Sequence, residues 1–210
     1  MVKTIQFLGA AALALGLSFS AQAQSGDFDP AEMRCLDFVN GQGDGATNKG
    51  RADLARIWIM GYMVGNYSGG EKLEWSDDGG AEGKVVSSML SKCREHPEVT
   101  LVVTSRFVAA DRRRDIPNTL SNDFNPRTYM CGDHADGLDG TASDALKADL
   151  ANVWAFAFVQ GFVDKTAELM IPVENKPAIT SSIAKNCANN REMSFFDLTA
   201  AVANSVNPEG

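Results

Sequence analysis

A thirteen-residue segment occurs twice in this chain, and this repeat constrains the fold more than any other feature of the sequence. It reads DLARIWIMGYMVG at 53–65 and DLANVWAFAFVQG at 149–161, an offset of 96 residues. Both copies begin Asp-Leu-Ala, have tryptophan at the sixth position and end in glycine. Self-similarity at a fixed offset is typical of one structural unit that is built twice. The sequence therefore predicts two copies of one module in tandem.

The repeated segment has the pattern of a long, buried helix. From 51 to 67 apolar residues cover most of the helical circumference, which is typical of a central helix. A second helix of this kind is expected from about 144 to 169. Each contains an aromatic pair four residues apart, and the four residues are Trp58, Tyr62, Trp154 and Phe158. We interpret these rings as core, with a ligand pocket as the alternative.

Shorter helices are expected after each of the two long ones. Two apolar faces at helical spacing consist of Val85, Val86, Met89 and Leu90 in the first copy and of Phe195, Leu198 and Val202 in the second. Pro97 suits the first position of another helix, although the β-branched residues of VTLVVT make a strand the alternative there. A further helix is expected from Pro177 to Cys187. The chain is therefore predicted to be all-α.

The first 23 residues have the three parts of a secretory signal peptide. Lys3 is followed by the apolar run IQFLGAAALALGL and then by SFSAQA, which correspond to the charged start, the apolar core and the Ala-x-Ala cleavage site. The run is shorter than the roughly 20 apolar residues that a transmembrane helix needs. We therefore expect cleavage after Ala23, export to the periplasm, and a mature protein that is not in the membrane, with a retained membrane anchor as the alternative.

The four cysteines fit one disulfide in each copy of the repeat. In an oxidising compartment an even number of cysteines favours disulfides, and four allow three pairings. Cys35 and Cys131 each lie 23 residues before the tryptophan of their copy, while SSMLSKC, ending at Cys93, matches SSIAKNC, ending at Cys187, at an offset of 94. The simplest pairing is therefore Cys35–Cys93 and Cys131–Cys187, with loop closure contributing about 4 kcal/mol for each bridge.

These landmarks divide the chain into four parts. The signal peptide covers 1–23, the first helical unit 31–115, a linker 116–127 and the second unit 128–206. The linker lies in DIPNTLSNDFNPRT, which contains two prolines and three asparagines. Units of about 80 residues have small cores, and a disulfide adds most stability at that size.

Charge and motif content favour a protein without catalysis. Without Lys3 the chain has 18 Lys and Arg against 27 Asp and Glu, a balance that disfavours nucleic acid or anionic lipid as a partner. The two histidines, His96 and His134, lie at non-equivalent places in the two copies. We interpret His96 as a helix-start residue. His134 with Asp133 and Asp136 would supply a single histidine and scattered carboxylates, a poor metal site.

Motifs of nucleophilic, phosphate-binding or zinc-protease sites are absent from the sequence. We therefore expect neither an enzyme nor a bound cofactor or metal.

Several of these features together resemble the HdeA/HdeB family. They are the leader, Cys-x-Asp-Phe at 35–38, the tryptophan helix with GYMVG, and a second cysteine that is followed by a proline and an apolar helix. Members of that family are small helical periplasmic acid-stress chaperones with one disulfide. The chain is similar to two such units in tandem over about 31–206, with CGDHADG in place of Cys-x-Asp-Phe in the second.

This resemblance implies a chaperone that works without ATP. At pH 2–3 most of the 27 carboxylates would be protonated, and the mature chain would carry a charge of roughly +20. Positive self-repulsion would loosen the packing, while the disulfides keep each copy compact. The two apolar faces of the shorter helices would then bind unfolding client proteins.

A binding module is the alternative hypothesis. GY and HPE also fit Rap/Tai-type immunity proteins, which are helical, disulfide-bonded inhibitors of secreted amidases. Such a protein would dock one partner at neutral pH, and Trp75 beside SDDGG would be its contact surface. A structural envelope protein is the third alternative, and the sequence leaves the oligomeric state open.

Overall fold

A computed structural model describes residues 28–43, 45–69, 81–111 and 124–206. These residues form eight α-helices and no strand, which confirms the all-α prediction. The expected signal peptide, Trp75 and most of the expected linker lie outside the described residues.

The helices follow one another in the same order of lengths in the two halves of the chain. In the first half they are α1 Cys35–Asn40, α2 Lys49–Ser68, α3 Ala81–Glu95 and α4 Leu101–Asp111. In the second half they are α5 Cys131–Leu138, α6 Ala142–Ala167, α7 Lys176–Asn189 and α8 Phe195–Val206, with a 3-10 turn at Val173–Asn175 before α7.

The long helices α2 and α6 form the centre of the molecule and pack against each other. Between Leu54 and Gly65 every residue of α2 except Arg56 is buried, and α6 is buried throughout 153–163. A helix with apolar residues around most of its circumference needs neighbours on several sides, and the shorter helices supply them. None of the helices in the described part of the chain is long and apolar enough to cross a membrane.

The start of α4 differs from the prediction. Pro97 lies in the turn before α4, which begins four residues later. Its carbonyl accepts a hydrogen bond from the Leu36 N–H (2.9 Å), and the Val99 carbonyl accepts one from the Cys35 N–H (2.8 Å). These bonds satisfy donors at the start of α1 that have no partner within their own helix. Long-range pairing therefore prevailed over the local tendency of proline to begin a helix.

The interpretation of His96 as a helix-start residue was also wrong. Its N–H donates to the Lys92 carbonyl (3.0 Å), so that it follows the carboxyl end of α3. Pro177, by contrast, does lie in the first turn of a helix, since α7 begins one residue before it.

The connection between α1 and the turn before α4 occurs again in the second half. Cys131 N–H donates to the Met193 carbonyl (3.0 Å), and Gly132 N–H donates to the Arg191 carbonyl (2.8 Å). These donors lie 96 residues after their counterparts and the acceptors 94 residues after theirs, the two offsets found in the sequence. The disulfides Cys35–Cys93 and Cys131–Cys187 complete the two arrangements. The predicted pairing of the cysteines is thus present.

Candidate acid-responsive site

Glycines allow the backbones of α2 and α6 to touch where the two halves of the chain meet. A Cβ atom on Gly65 would collide with the Phe158 carbonyl group, and one on Gly161 would collide with the Tyr62 carbonyl group. Each residue of the second half here lies 96 positions after its counterpart in the first. The same contact is therefore made twice, in the manner of a two-fold symmetric interface.

The aromatic pairs of the repeat lie beside this crossing. Trp58 stacks on Tyr62 at 5.1 Å between ring centroids, and Trp154 lies 5.4 Å from Phe158. All four side chains are buried. They belong to the core between the halves, as the core interpretation requires.

A buried glutamine links the two halves on one side of the crossing. The Trp58 indole Nε1 donates to Gln160 Oε1 (2.7 Å), and Gln160 Nε2 donates to the Ile171 carbonyl (2.7 Å). The amide of Gln160 therefore has a partner on both its polar atoms inside the core. A buried polar group that is satisfied in this way contributes to a unique packing arrangement.

A buried carboxylate makes the second link. Asp164 of α6 has a side chain that is only 7% exposed. It accepts two hydrogen bonds from the Arg106 guanidinium, of which that from Nε is 2.9 Å long, and a third from the Tyr62 hydroxyl. Burial and the neighbouring carboxylate raise the pKa of Tyr62 well above its ordinary value, so Tyr62 remains a donor. Asp164 therefore binds two helices of the first half to α6.

These polar links occur on one side of the interface only. Positions 64 and 68, which correspond to Gln160 and Asp164 at the offset of 96, are valine and serine. Neither link was predicted from the sequence. A glutamine and an aspartate on the buried helix of one copy, where the other copy has valine and serine, were the available signal.

The two predicted apolar faces lie inside the folded protein. Val85, Met89, Phe195, Leu198 and Val202 are buried, and Val86 and Leu90 are half-buried against the core. The buried residues of these faces are inaccessible to a partner while the helices are closed. They can serve as contact surfaces only after the helices have opened.

His134 of α5 is a buried polar residue in the core of the second half. It is 0% exposed, and neither ring nitrogen has a hydrogen-bond partner. The Phe195 ring centroid lies 4.7 Å away and that of Tyr129 6.3 Å away. Burial lowers the pKa of His134 to about 4.

The carboxylates next to His134 in sequence do not converge with it on a metal site. Asp133 is exposed and accepts the Met130 N–H (3.2 Å), and Asp136 is exposed and pairs with Arg191 (2.6 Å). Over the described residues, no group of three His, Cys, Asp or Glu side chains is arranged to hold a metal ion.

A half-buried pair of opposite charge lies elsewhere in the second half. Burial raises the pKa of Asp149, and the charge of Lys176 partly offsets this. Burial likewise lowers the pKa of Lys176, against the charge of Asp149. A carboxylate with a raised pKa takes up its proton more readily in the folded state, so Asp149 favours the closed form in acid and opposes opening.

An exposed apolar pair on α4 was not predicted. Phe107 is 64% exposed and Val103, one helical turn before it, is 41% exposed. Side chains four residues apart on a helix are neighbours. The segment LVVTSRFVAA has more apolar residues than a single buried helix face requires, and this excess was the signal for the exposed surface.

A comparison of the chain with protein-family models, with curated proteins and with solved structures found no match. The fold and the site together define a class: an all-α protein with two disulfides, whose halves meet through close backbone contact between two central helices.

Proposed function

We propose that the protein is an exported, ATP-independent acid-stress chaperone, built from two HdeA/HdeB-like units in tandem. The observation that carries the proposal is the position of α4 and α8 relative to the disulfides. Each is the last helix that the structure describes in its half and lies beyond the second cysteine, outside the covalently closed loop. Each can therefore leave the core while the rest of its half stays closed.

Helix α8 carries one of the two apolar faces to which the proposal assigns client binding. Phe195, Leu198 and Val202 lie on α8 and are buried, and α8 packs against α6. Its release would expose both its own stripe and the surface of α6 beneath it. Newly exposed apolar surface attracts unfolded chains, which themselves expose such surface.

Acid supplies the driving force. The chain has 27 carboxylates and 2 histidines, so acidification replaces a net negative charge with a large positive one. Self-repulsion of a strongly charged chain destabilises its compact state. The loop-closure entropy removed by each disulfide still disfavours full unfolding, so opening is limited to the helices outside the loops.

Light scattering tests this function directly. The mature protein with both disulfides intact is expected to suppress the aggregation of an acid-unfolded client at pH 2–3 and to have no effect at pH 7. A dye that binds apolar surface should report exposure over the same pH range. Unchanged client aggregation at pH 2–3 would contradict the proposal.

The same assay after reduction of the disulfides tests the role of the closed loops. Without the bridges the chain is expected to unfold fully in acid and to aggregate with its client. Equal protection by the reduced protein would show that covalent closure has no part in the function.

A binding protein that docks one partner at neutral pH is the second candidate function. It is favoured by Val103 and Phe107, which are exposed on one face of α4 in the closed protein. The test is binding of a single exported enzyme at pH 7 to the protein and to its Phe107→Ser variant. Tight binding that the variant loses would favour this function over the chaperone.

A further inference from the structure

His134 occupies a position that the repeat makes directly comparable with the other half. Its counterpart, 96 residues earlier, is Phe38, which is also 0% exposed. The same core position thus holds an aromatic hydrocarbon in the first half and an ionisable ring in the second. A phenylalanine satisfies this site sterically, so the packing alone does not require a histidine.

The imidazole is left without hydrogen bonds. A neutral imidazole has one N–H donor and one acceptor nitrogen, and neither ring nitrogen of His134 has a partner. Buried polar groups are nearly always paired, and an exception calls for an explanation. Aromatic rings lie on two sides, with Phe195 at 4.7 Å and Tyr129 at 6.3 Å.

Among the residues that the structure describes, no charged side chain acts as counter-ion for a protonated imidazole. The charged side chains of α5, of its flanking segments and of α8 are all exposed, and these are Arg127, Asp133, Asp136, Asp139, Arg191, Glu192 and Asp197. From α6 and α7, Asp144, Lys147 and Lys185 are exposed, and Asp149 and Lys176 interact with each other. Burial alone, with no charged neighbour, lowers the pKa of His134.

The contact with Phe195 connects His134 to the element that can move. Phe195 is the first residue of α8, and its N–H donates to the Tyr129 carbonyl (2.8 Å). The N–H of Phe196 donates to the Pro126 carbonyl (2.9 Å). His134 therefore lies against the point at which α8 is attached to the segment before α5.

We propose that His134 is the acid trigger of the second half: its protonation places an uncompensated charge against Phe195 and Tyr129 and releases α8 from α6. Opening brings the imidazolium into contact with water, which solvates the charge. The inference rests on the proposed function for what the released surface binds, but the opening itself does not depend on it.

The direction of the pH effect follows from the two protonation equilibria. The pKa of His134 is about 4 in the closed protein against 6.5 for an unperturbed histidine. Between these two values the open state binds a proton that the closed state does not. The equilibrium constant for opening therefore rises up to tenfold for each pH unit of acidification and by about 300-fold in all. Below about pH 3 this histidine contributes no further change.

The repeat supplies the matched variants for a test. His134→Phe places in the second half the residue that the first half already has, and Phe38→His does the reverse. His96→Gln removes the other histidine, which is exposed, and serves as the control. The readout is hydrogen exchange of the α8 and α4 amides in the full mature protein with both disulfides, from pH 7 to pH 3.5, corrected for the intrinsic pH dependence of exchange.

In the wild type and in His96→Gln, the corrected opening of α8 is expected to increase about 80-fold between pH 6.5 and pH 4. In His134→Phe this increase should disappear, and in Phe38→His a comparable increase should occur in α4. Opening of α8 with the same pH dependence in His134→Phe and in the wild type would overturn the inference. If His134→Phe does not fold, the imidazole signal of the wild type decides, because titration near pH 6.5 with α8 still closed would also overturn it.

A client-aggregation assay on the same samples separates this inference from the proposed function. Acid opening that depends on His134 without any client protection supports the trigger and contradicts the chaperone. Client protection that is equal in the wild type and in His134→Phe, with equal opening, supports the chaperone and contradicts the trigger.

Discussion

At the scale of single residues, some side chains link the two halves of this protein and others make it sensitive to acid. Asp164 is a residue of the first kind. Its carboxylate accepts hydrogen bonds from Arg106 and Tyr62, both of the first half, while it lies on α6 of the second. Hydrogen bonds to charged groups contribute more than neutral ones. The network joins α2 and α4 to α6, which lies far from both in sequence.

Asp164→Asn keeps the shape of the side chain but removes its charge. We expect the free energy of unfolding at pH 7 to fall by about 2 kcal/mol, measured by urea denaturation. The matched control is Asp53→Asn, because Asp53 forms an ion pair with Lys49 (2.8 Å) in which both side chains are about half exposed. The control should change stability by less than about 0.5 kcal/mol. Equal effects of the two variants would show that burial of the Asp164 network adds nothing.

His134 makes the stability of the protein depend on pH. Its pKa is lower in the folded protein, at about 4, than the ordinary 6.5, so its contribution to stability is complete above pH 6.5 and is lost as pH falls towards 4. The loss amounts to about 3 kcal/mol.

His134→Phe should remove that loss. Urea denaturation at pH 7 and at pH 4 is expected to show a smaller difference in the free energy of unfolding for the variant than for the wild type, by about 3 kcal/mol. A difference equal to that of the wild type would mean that carboxylates alone determine the acid sensitivity.

At the scale of elements, the crossing of α2 and α6 depends on the absence of side chains at a few positions. Gly65 and Gly161 each contact a backbone carbonyl group of the opposite helix. Glycine in a helix costs backbone entropy, and close packing of the two helices offsets that cost here.

Gly65→Ala and Gly161→Ala should each push the two helices apart. We expect a loss of about 3 kcal/mol for either variant, measured from the shift of the thermal midpoint. Gly83→Ala in α3 is the control, because a Cβ atom there meets no atom within 4 Å. That variant should gain up to about 1 kcal/mol from helix propensity. A small effect at Gly65 would indicate that the helices cross at a greater distance.

At the scale of the whole molecule, two disulfide-closed halves share one central interface. The disulfides span similar separations, 58 and 56 residues, so each should contribute about 4 kcal/mol through loop closure. The contact between α2 and α6 couples the halves, so that the stability of one depends on the other.

Replacing Cys131 and Cys187 together by alanine tests this coupling. We expect a single calorimetric transition that is shifted to lower temperature, because loss of the second half also exposes the α2 surface of the first. The matched double variant is the replacement of Cys35 and Cys93 by alanine, which should shift the transition by a similar amount. Two separate transitions in either variant would contradict the coupling.

Much of the fold was predictable, because its causes are local or repeated. Apolar periodicity predicted the helices of the described residues, and the two offsets of the repeat predicted which cysteines pair. The turn at Pro97 was not predictable in this way, since its carbonyl is used by a backbone donor of α1. Periodicity predicted that the two apolar faces are buried. It did not predict which helices cover them.

What the sequence by itself determined is the helical character, the duplication and the covalent closure of each half. Only the tertiary structure decided which buried polar groups have partners. Trp58 and Gln160 are hydrogen-bonded across 102 residues, as are Tyr62 and Asp164, whereas His134 has no partner at all. The reason is physical. Periodicity shows on which side of its own helix a residue lies, but the free energy of a buried polar group depends on the atoms that other helices bring to it.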